Sequence, residues 1–205
     1  LKKSYIDPEE LGRPKTVPRY GPDLRPQTLG LLIGGRAGRF HYRDSEWAAL
    51  LAFVEAVSKA WGTRWLISTS RRTPDSVADR ITEMARDQSV VENFIDFRTA
   101  GPGTLRQVFA NADAIVCTED SSSMISEAVS ARLPVVGVSP RAFRFTEEEQ
   151  LYRDFLMNKG WSRTIPIADL SPERFADALS QIEPLQENPL DALALTLKAR
   201  LPQLF

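Results

Sequence analysis

At 205 residues, with 42% hydrophobic and 26% charged side chains, the chain is long enough to bury a full core and has the balance of an ordinary globular domain. Its formal net charge of −1 gives no basis for a nucleic-acid partner. The single cysteine, Cys117, cannot form an internal disulfide, and no run nears the roughly 18 apolar residues of a membrane span. A reduced, cytoplasmic setting is therefore expected, with no signal peptide and no transmembrane segment, and with contact to a membrane at most peripheral.

Residues 1–26 stand apart. Pro8, Pro14, Pro18, Pro22 and Pro26 recur among charges without an apolar period, which predicts an extended arm or interdomain linker. The absence of an initial methionine adds the expectation that a further domain precedes it. From residue 27 to 205 an alternation sets in. TLGLLIG (28–34) reads as a strand, and the spacing of Trp47, Leu50, Leu51, Val54 and Val57 predicts a helix from about Asp44 to Gly62. RWLIST (64–69) is the next strand and residues 73–87 the next helix, with Pro74 at its first position. NFIDF (93–97), a helix over 103–111, DAIVC (113–117), a helix over 121–132 and PVVGVS (134–139) continue the series. A helix within 144–159, RTIPI (163–167), a helix opening at SPERF (171–175) and a last helix over 189–200 complete it. Short strands rich in Val, Ile and Leu that alternate with amphipathic helices predict a three-layer, doubly wound α/β domain with a mainly parallel sheet.

Ligands of such a sheet bind beyond the carboxyl ends of its strands, and three turns there are unusually polar. In GGRAGRF (34–40), Gly34 and Gly35 read either as a flexible strand end or as backbone that approaches an anion closely. In STSRRTP (68–74), Arg71 and Arg72 bring two guanidinium forks to a helix N-terminus, an unfavourable position unless an anion joins them. The alternative is a pair of solvated arginines beside Thr73 as cap. In TEDSSSM (118–124), Asp120 or Ser121 suffices to cap the helix, which leaves further hydroxyls and amides in its first turn to cradle a diphosphate. Met124, Ile125, Ala128 and Val129 form the inward face of that helix. Glu127, four residues after Ser123, is either a surface glutamate or an acceptor for a ribose diol.

Other chemistries lack their residues. His41, the one histidine, follows a glycine loop and reads as a surface residue as readily as an acid or base. There is no Gly-x-Ser-x-Gly elbow, no metal-ligand spacing, no GxGxxG or P-loop pattern after any strand, and no Tyr-x-x-x-Lys pair.

LLIGG (31–35), TSRRTP (69–74), ADAIVCTEDSSSMISEA (112–128), LPVV (133–136) and FLMNKGWSRTI (155–165) together resemble the ELM1-like (DUF1022) family in order and spacing over about residues 27–167. That family includes a plant protein of mitochondrial fission and bacterial members labelled as glycosyltransferases or, in older naming, nucleoside-diphosphate-sugar epimerases. The resemblance implies the C-terminal, donor-binding half of a GT-B-like architecture. It places Gly34, Gly35, Ser70, Arg71 and Arg72 at the phosphates and Ser121, Ser122 and Ser123 at the diphosphate. Glu119 or Asp120 would face the sugar hydroxyls and Glu127 the ribose. It implies a nucleotide sugar as substrate, with no metal and no other cofactor, and a catalytic base supplied from outside this chain, so that the domain alone binds without turnover. A non-catalytic adaptor of the fission type, or an epimerase on the same architecture, are the other functions it implies. Two segments depart from the family pattern: GPGTLRQVF (101–109) replaces an Asn-Pro-Tyr segment, and Arg132-Leu133-Pro134 replaces Gly-Lys-Pro, putting arginine where a left-handed helix cap favours glycine.

Overall fold

The computed structural model describes residues 6–201. Six strands form one sheet in the order β3-β2-β1-β4-β5-β6. They are β1 (Thr28–Leu32), β2 (Arg64–Ser68), β3 (Val91–Ile95), β4 (Ala114–Thr118), β5 (Val135–Ser139) and β6 (Ser162–Pro166). Every pairing is parallel, so the sheet is wholly rather than mainly parallel. Eight helices connect and flank the strands: α1 (Asp44–Trp61), α2 (Asp75–Met84), α3 (Phe97–Ala100), α4 (Leu105–Asn111), α5 (Ser122–Ser130), α6 (Glu147–Asn158), α7 (Pro172–Ser180) and α8 (Pro189–Arg200).

The central strands read as continuous apolar runs because both of their faces are covered. On one face Leu29, Leu31, Trp65 and Ile67 pack with Trp47, Leu50 and Val54 of α1, Val77 and Ile81 of α2, and Phe175 of α7. On the other, Leu32, Leu66, Ile115 and Cys117 pack with Val108 and Phe109 of α4, Ile125 and Val129 of α5, and Leu156 of α6. Burying each such side chain contributes about 1.5–3 kcal/mol, which is what fixes the three-layer Rossmann-like arrangement.

The elements fall close to their expected places, with two informative differences. β3 runs two residues earlier than the predicted strand, and it stops at Ile95 because Asp96 turns out of the sheet and accepts the amide of Arg98 at 3.0 Å to cap α3. Pro74 stands at the N-cap of α2 rather than inside it. α1 ends on Gly62 at φ 71°. α5 ends at Ala131, and Arg132 just beyond it stands at φ 60°, the left-handed conformation that costs a side chain about 1–2 kcal/mol.

Residues 6–26 form neither helix nor strand, yet they are fixed to the domain. Ile6 and Tyr20 are buried. Arg13 donates to the carbonyl of Ala112 at 2.8 Å, Glu10 pairs with Arg106 at 2.8 Å, and Asn188 at the N-cap of α8 donates to Asp7 at 3.0 Å. Residues 1–5 of the predicted arm lie outside the described residues.

Candidate functional site

β1 and β4 are neighbours in the sheet, but the helices that follow them pack on opposite faces. Their carboxyl ends therefore splay into a crevice, the position where doubly wound sheets bind ligands. The glycine turn after β1, the arginine turn after β2 and the serine turn after β4 meet there. All three turns singled out in the sequence are thus brought together by the topology.

The β1 and β4 turns are stitched to one another. Gly34 N–H donates to Thr118 Oγ1 at 2.7 Å, and Gly35 N–H donates to Asp120 Oδ2 at 3.0 Å. Arg72 Nη2 reaches the same Asp120 oxygen at 2.9 Å, and the Tyr42 hydroxyl donates to the other at 3.3 Å. The Asp120 side chain is fully buried. The two glycines are required by this packing. A Cβ on Gly34 would fall on the Asp120 carboxylate, and one on Gly35, at φ 152°, would strike the carbonyl of Arg72. The β2 turn is tied in as well: Ser70 Oγ donates to Gly34 O at 3.2 Å and Thr73 Oγ1 does so at 2.7 Å, so Thr73 serves the β1 turn instead of capping α2.

Asp120 and Glu119, read from the resemblance as facing sugar hydroxyls, point into the protein. Glu119 is 2% exposed and accepts from Arg153 Nε at 2.5 Å and from Thr164 Oγ1 at 2.8 Å. Arg153 Nη2 also donates to the Glu119 carbonyl at 2.9 Å, and its Nη1 donates to Ser122 Oγ at 3.1 Å. Gly137 in β5 leaves the room that this carboxylate needs, since a Cβ there would overlap Glu119 Oε1. The two acids are consumed in part by partners the sequence reading did not identify: a buried arginine from α6, a tyrosine from the β1 loop and a threonine within β6. Arg153 left one signal. It lies three residues before Leu156, on the inward stripe of α6 where an apolar residue is the norm.

The groups that remain open line the first turn of α5. Ser121 is the buried N-cap and makes no side-chain cap bond; its Oγ lies 3.3 Å from Ser123 Oγ. Ser123 is exposed, and Ser122 is partly so. A helix leaves its first amides without intrahelical acceptors, and here the N-terminal dipole faces the crevice with Arg153 held beneath it. Arg71 is exposed, in contrast to Arg72. Glu127 is half-buried one turn into α5, and loss of water raises its carboxyl above the ordinary range. Burial, with Asp120 beside it, likewise holds the Tyr42 hydroxyl well above its ordinary value, so that it stays a donor. Met124 is core and His41 is exposed.

Beside the crevice lies a cavity of about 390 Å³ lined by Arg36, His41, Tyr42, Asp44, Trp47 and Pro74. Tyr42, stacked on Trp47 at 4.5 Å, separates it from Asp120. Among the described residues, no group of three or more His, Cys, Asp or Glu side chains is placed to hold a metal ion, and no helix is long and apolar enough to cross a membrane.

The family model described as "Mitochondrial fission ELM1" covers residues 4–196. No curated protein matches the chain.

Proposed function

Because the chain belongs to the mitochondrial fission ELM1 family, we propose that it acts as the nucleotide-sugar-binding domain of a GT-B-like glycosyltransferase. The observation that carries this reading is the opening of α5 at the switch point of the sheet, with Ser122 and Ser123 in its first turn. A diphosphate seated there meets backbone amides, two hydroxyls and the helix dipole. Arg71 supplies an exposed guanidinium from the adjoining turn. Glu127, one turn further in, is the acceptor for a ribose diol. In a transferase these donors would stabilise charge on the departing diphosphate, the electrostatic part of rate enhancement. The reading requires no metal and extends only to binding by this chain; the base that activates an acceptor would come from a facing domain.

The test is a thermal-melt titration with UDP, GDP, CMP and their common sugar conjugates. At one hundred times its dissociation constant a ligand adds about 2.7 kcal/mol, a rise of about 5–10 °C for a chain of this size. The rise is expected for one nucleotide class and is expected to disappear in Arg71→Ala and Ser123→Ala. A second reading, a non-catalytic adaptor of the fission type, is favoured by one observation: the Gly34 and Gly35 amides and Arg72 are already engaged by Thr118 and Asp120. Absence of any nucleotide-dependent rise in the folded chain would decide for the adaptor.

A further inference from the structure

Asp120 is an anion in a setting built for one, and it fills that setting incompletely. Three donors converge on its carboxylate: Gly35 N–H, Arg72 Nη2 and the Tyr42 hydroxyl. Both short contacts fall on Oδ2, while the tyrosine reaches Oδ1 at only 3.3 Å. Arg72 presents a single nitrogen. Its Nε is buried without any partner, although a guanidinium binds oxyanions best through two nitrogens at once. A buried donor left unmet is unfavourable, so the protein tolerates here a deficit that a larger oxyanion would remove. A phosphoryl group carries three oxygens, enough to take Arg72 Nε and Nη2 together with Gly35 N–H and the Tyr42 hydroxyl. It cannot do so beside an ionised carboxylate, because the like charges repel in a site closed to water.

We propose that Gly35 N–H, Arg72 and Tyr42 form a phosphoryl-binding pocket that the chain's own Asp120 carboxylate occupies as a stand-in, and that a ligand gains it by displacing that side chain. Asp120 lies in the turn that leads directly into α5, so its departure moves the start of the same helix. Occupied by Asp120, the crevice is locked through Gly35 and Arg72; occupied by a phosphoryl group, it is released on the β4 side. This goes beyond the nucleotide reading, which seats the diphosphate on the first turn of α5 with Arg71 and leaves Asp120 in place, and it does not depend on that reading because inorganic pyrophosphate suffices as probe.

The experiment compares the full chain with Asp120→Ala. The variant is expected to melt lower than wild type in chloride and to recover in formate or pyrophosphate at the same ionic strength. By calorimetry it is expected to bind pyrophosphate about tenfold or more tightly than wild type, equivalent to about 1.4 kcal/mol. Asp120→Ala combined with Arg72→Ala is expected to lose both effects. Equal pyrophosphate affinity in wild type and folded Asp120→Ala would overturn the proposal, as would rescue that survives loss of Arg72, since either places the anion elsewhere. Should Asp120→Ala fail to fold in chloride, the same comparison is made with Asp120→Asn, which keeps the volume and removes the charge; unchanged affinity there overturns the proposal equally. If no nucleotide binds wild type while Asp120→Ala takes pyrophosphate, the nucleotide reading falls and the pocket stands.

Discussion

Arg153 and Glu119 meet inside the protein at 2.5 Å, their side chains 4% and 2% exposed, and together they tie α6 to the end of β4. The pair is closed on all sides by Thr164, by the Glu119 carbonyl and by Ser122. It thereby fixes the height of the α5 N-terminus relative to the sheet. Removing one member leaves a buried charge with no counterpart, which costs about 3–5 kcal/mol. Arg153→Met and Glu119→Gln are each expected to lose stability on that scale in urea unfolding, while the double variant loses less than the sum. Additive losses would show that the two side chains do not act as a unit.

Gly137 tests the same geometry from below. Its replacement by alanine drives a methyl into the Glu119 carboxylate, which Arg153 and Thr164 hold in place. Overpacking of this kind costs about 1–3 kcal/mol. Gly62→Ala, in open space at φ 71°, bears only the left-handed backbone penalty of about 1–2 kcal/mol. Melting curves of the two should order Gly137→Ala below Gly62→Ala; the reverse order would place the Glu119 carboxylate elsewhere.

Glu127 makes stability depend on pH in a definite direction. Its folded-state carboxyl titrates above the ordinary value of 4.5 because of lost hydration. Below pH 4.5 the group is protonated in the folded and unfolded chains alike, and its folding contribution is fully present. As the pH rises, the unfolded chain ionises first, so stability is lost through the folded-state titration. Glu127→Gln is therefore expected to unfold at a higher denaturant concentration than wild type at pH 7, and to match it near pH 4. If Glu127 accepts a ribose diol, nucleotide affinity will rise over the interval in which stability falls.

Asn188 joins the arm to the last helix. Its amide donates to Asp7, and its carbonyl oxygen caps Leu190 N–H at 3.0 Å. Asn188→Ala removes the cap, a loss of about 1 kcal/mol, and frees the arm at the same time. Hydrogen exchange should accelerate both in α8 and around Ile6. Acceleration confined to α8 would mean that the arm is held without it.

The fold was legible because its signals are redundant. Each strand is a short apolar run, each helix carries an inward stripe, and the polar turns fall where parallel strands end. The convergence of the three turns follows from the topology alone. What the sequence did not disclose is which polar groups face one another. Gly34 and Gly35 have the same letters whether they approach a phosphate or make room for an aspartate. Glu119 and Asp120 stand in a loop of serines, and nothing local says that an arginine 34 residues later will reach back to claim one of them. Tyr42 was unreadable for the same reason: its partner is distant in sequence, and a hydroxyl bond to a carboxylate leaves no periodicity. Arg132 is the converse case: arginine in place of the family's glycine predicted a changed helix end, because a left-handed cap costs arginine more, and the backbone adopts the left-handed conformation all the same.

Cys117, fully buried in β4 immediately before Thr118, is the chain's one sulfhydryl. Burial raises its thiol well above the ordinary range, so the folded protein presents almost no thiolate. Its modification by a disulfide reagent must wait for the strand end beneath the crevice to open. The labelling rate is then a clock for that opening, written into the native chain without an added probe: any anion that locks the β1 and β4 turns together slows it, and any that parts them speeds it.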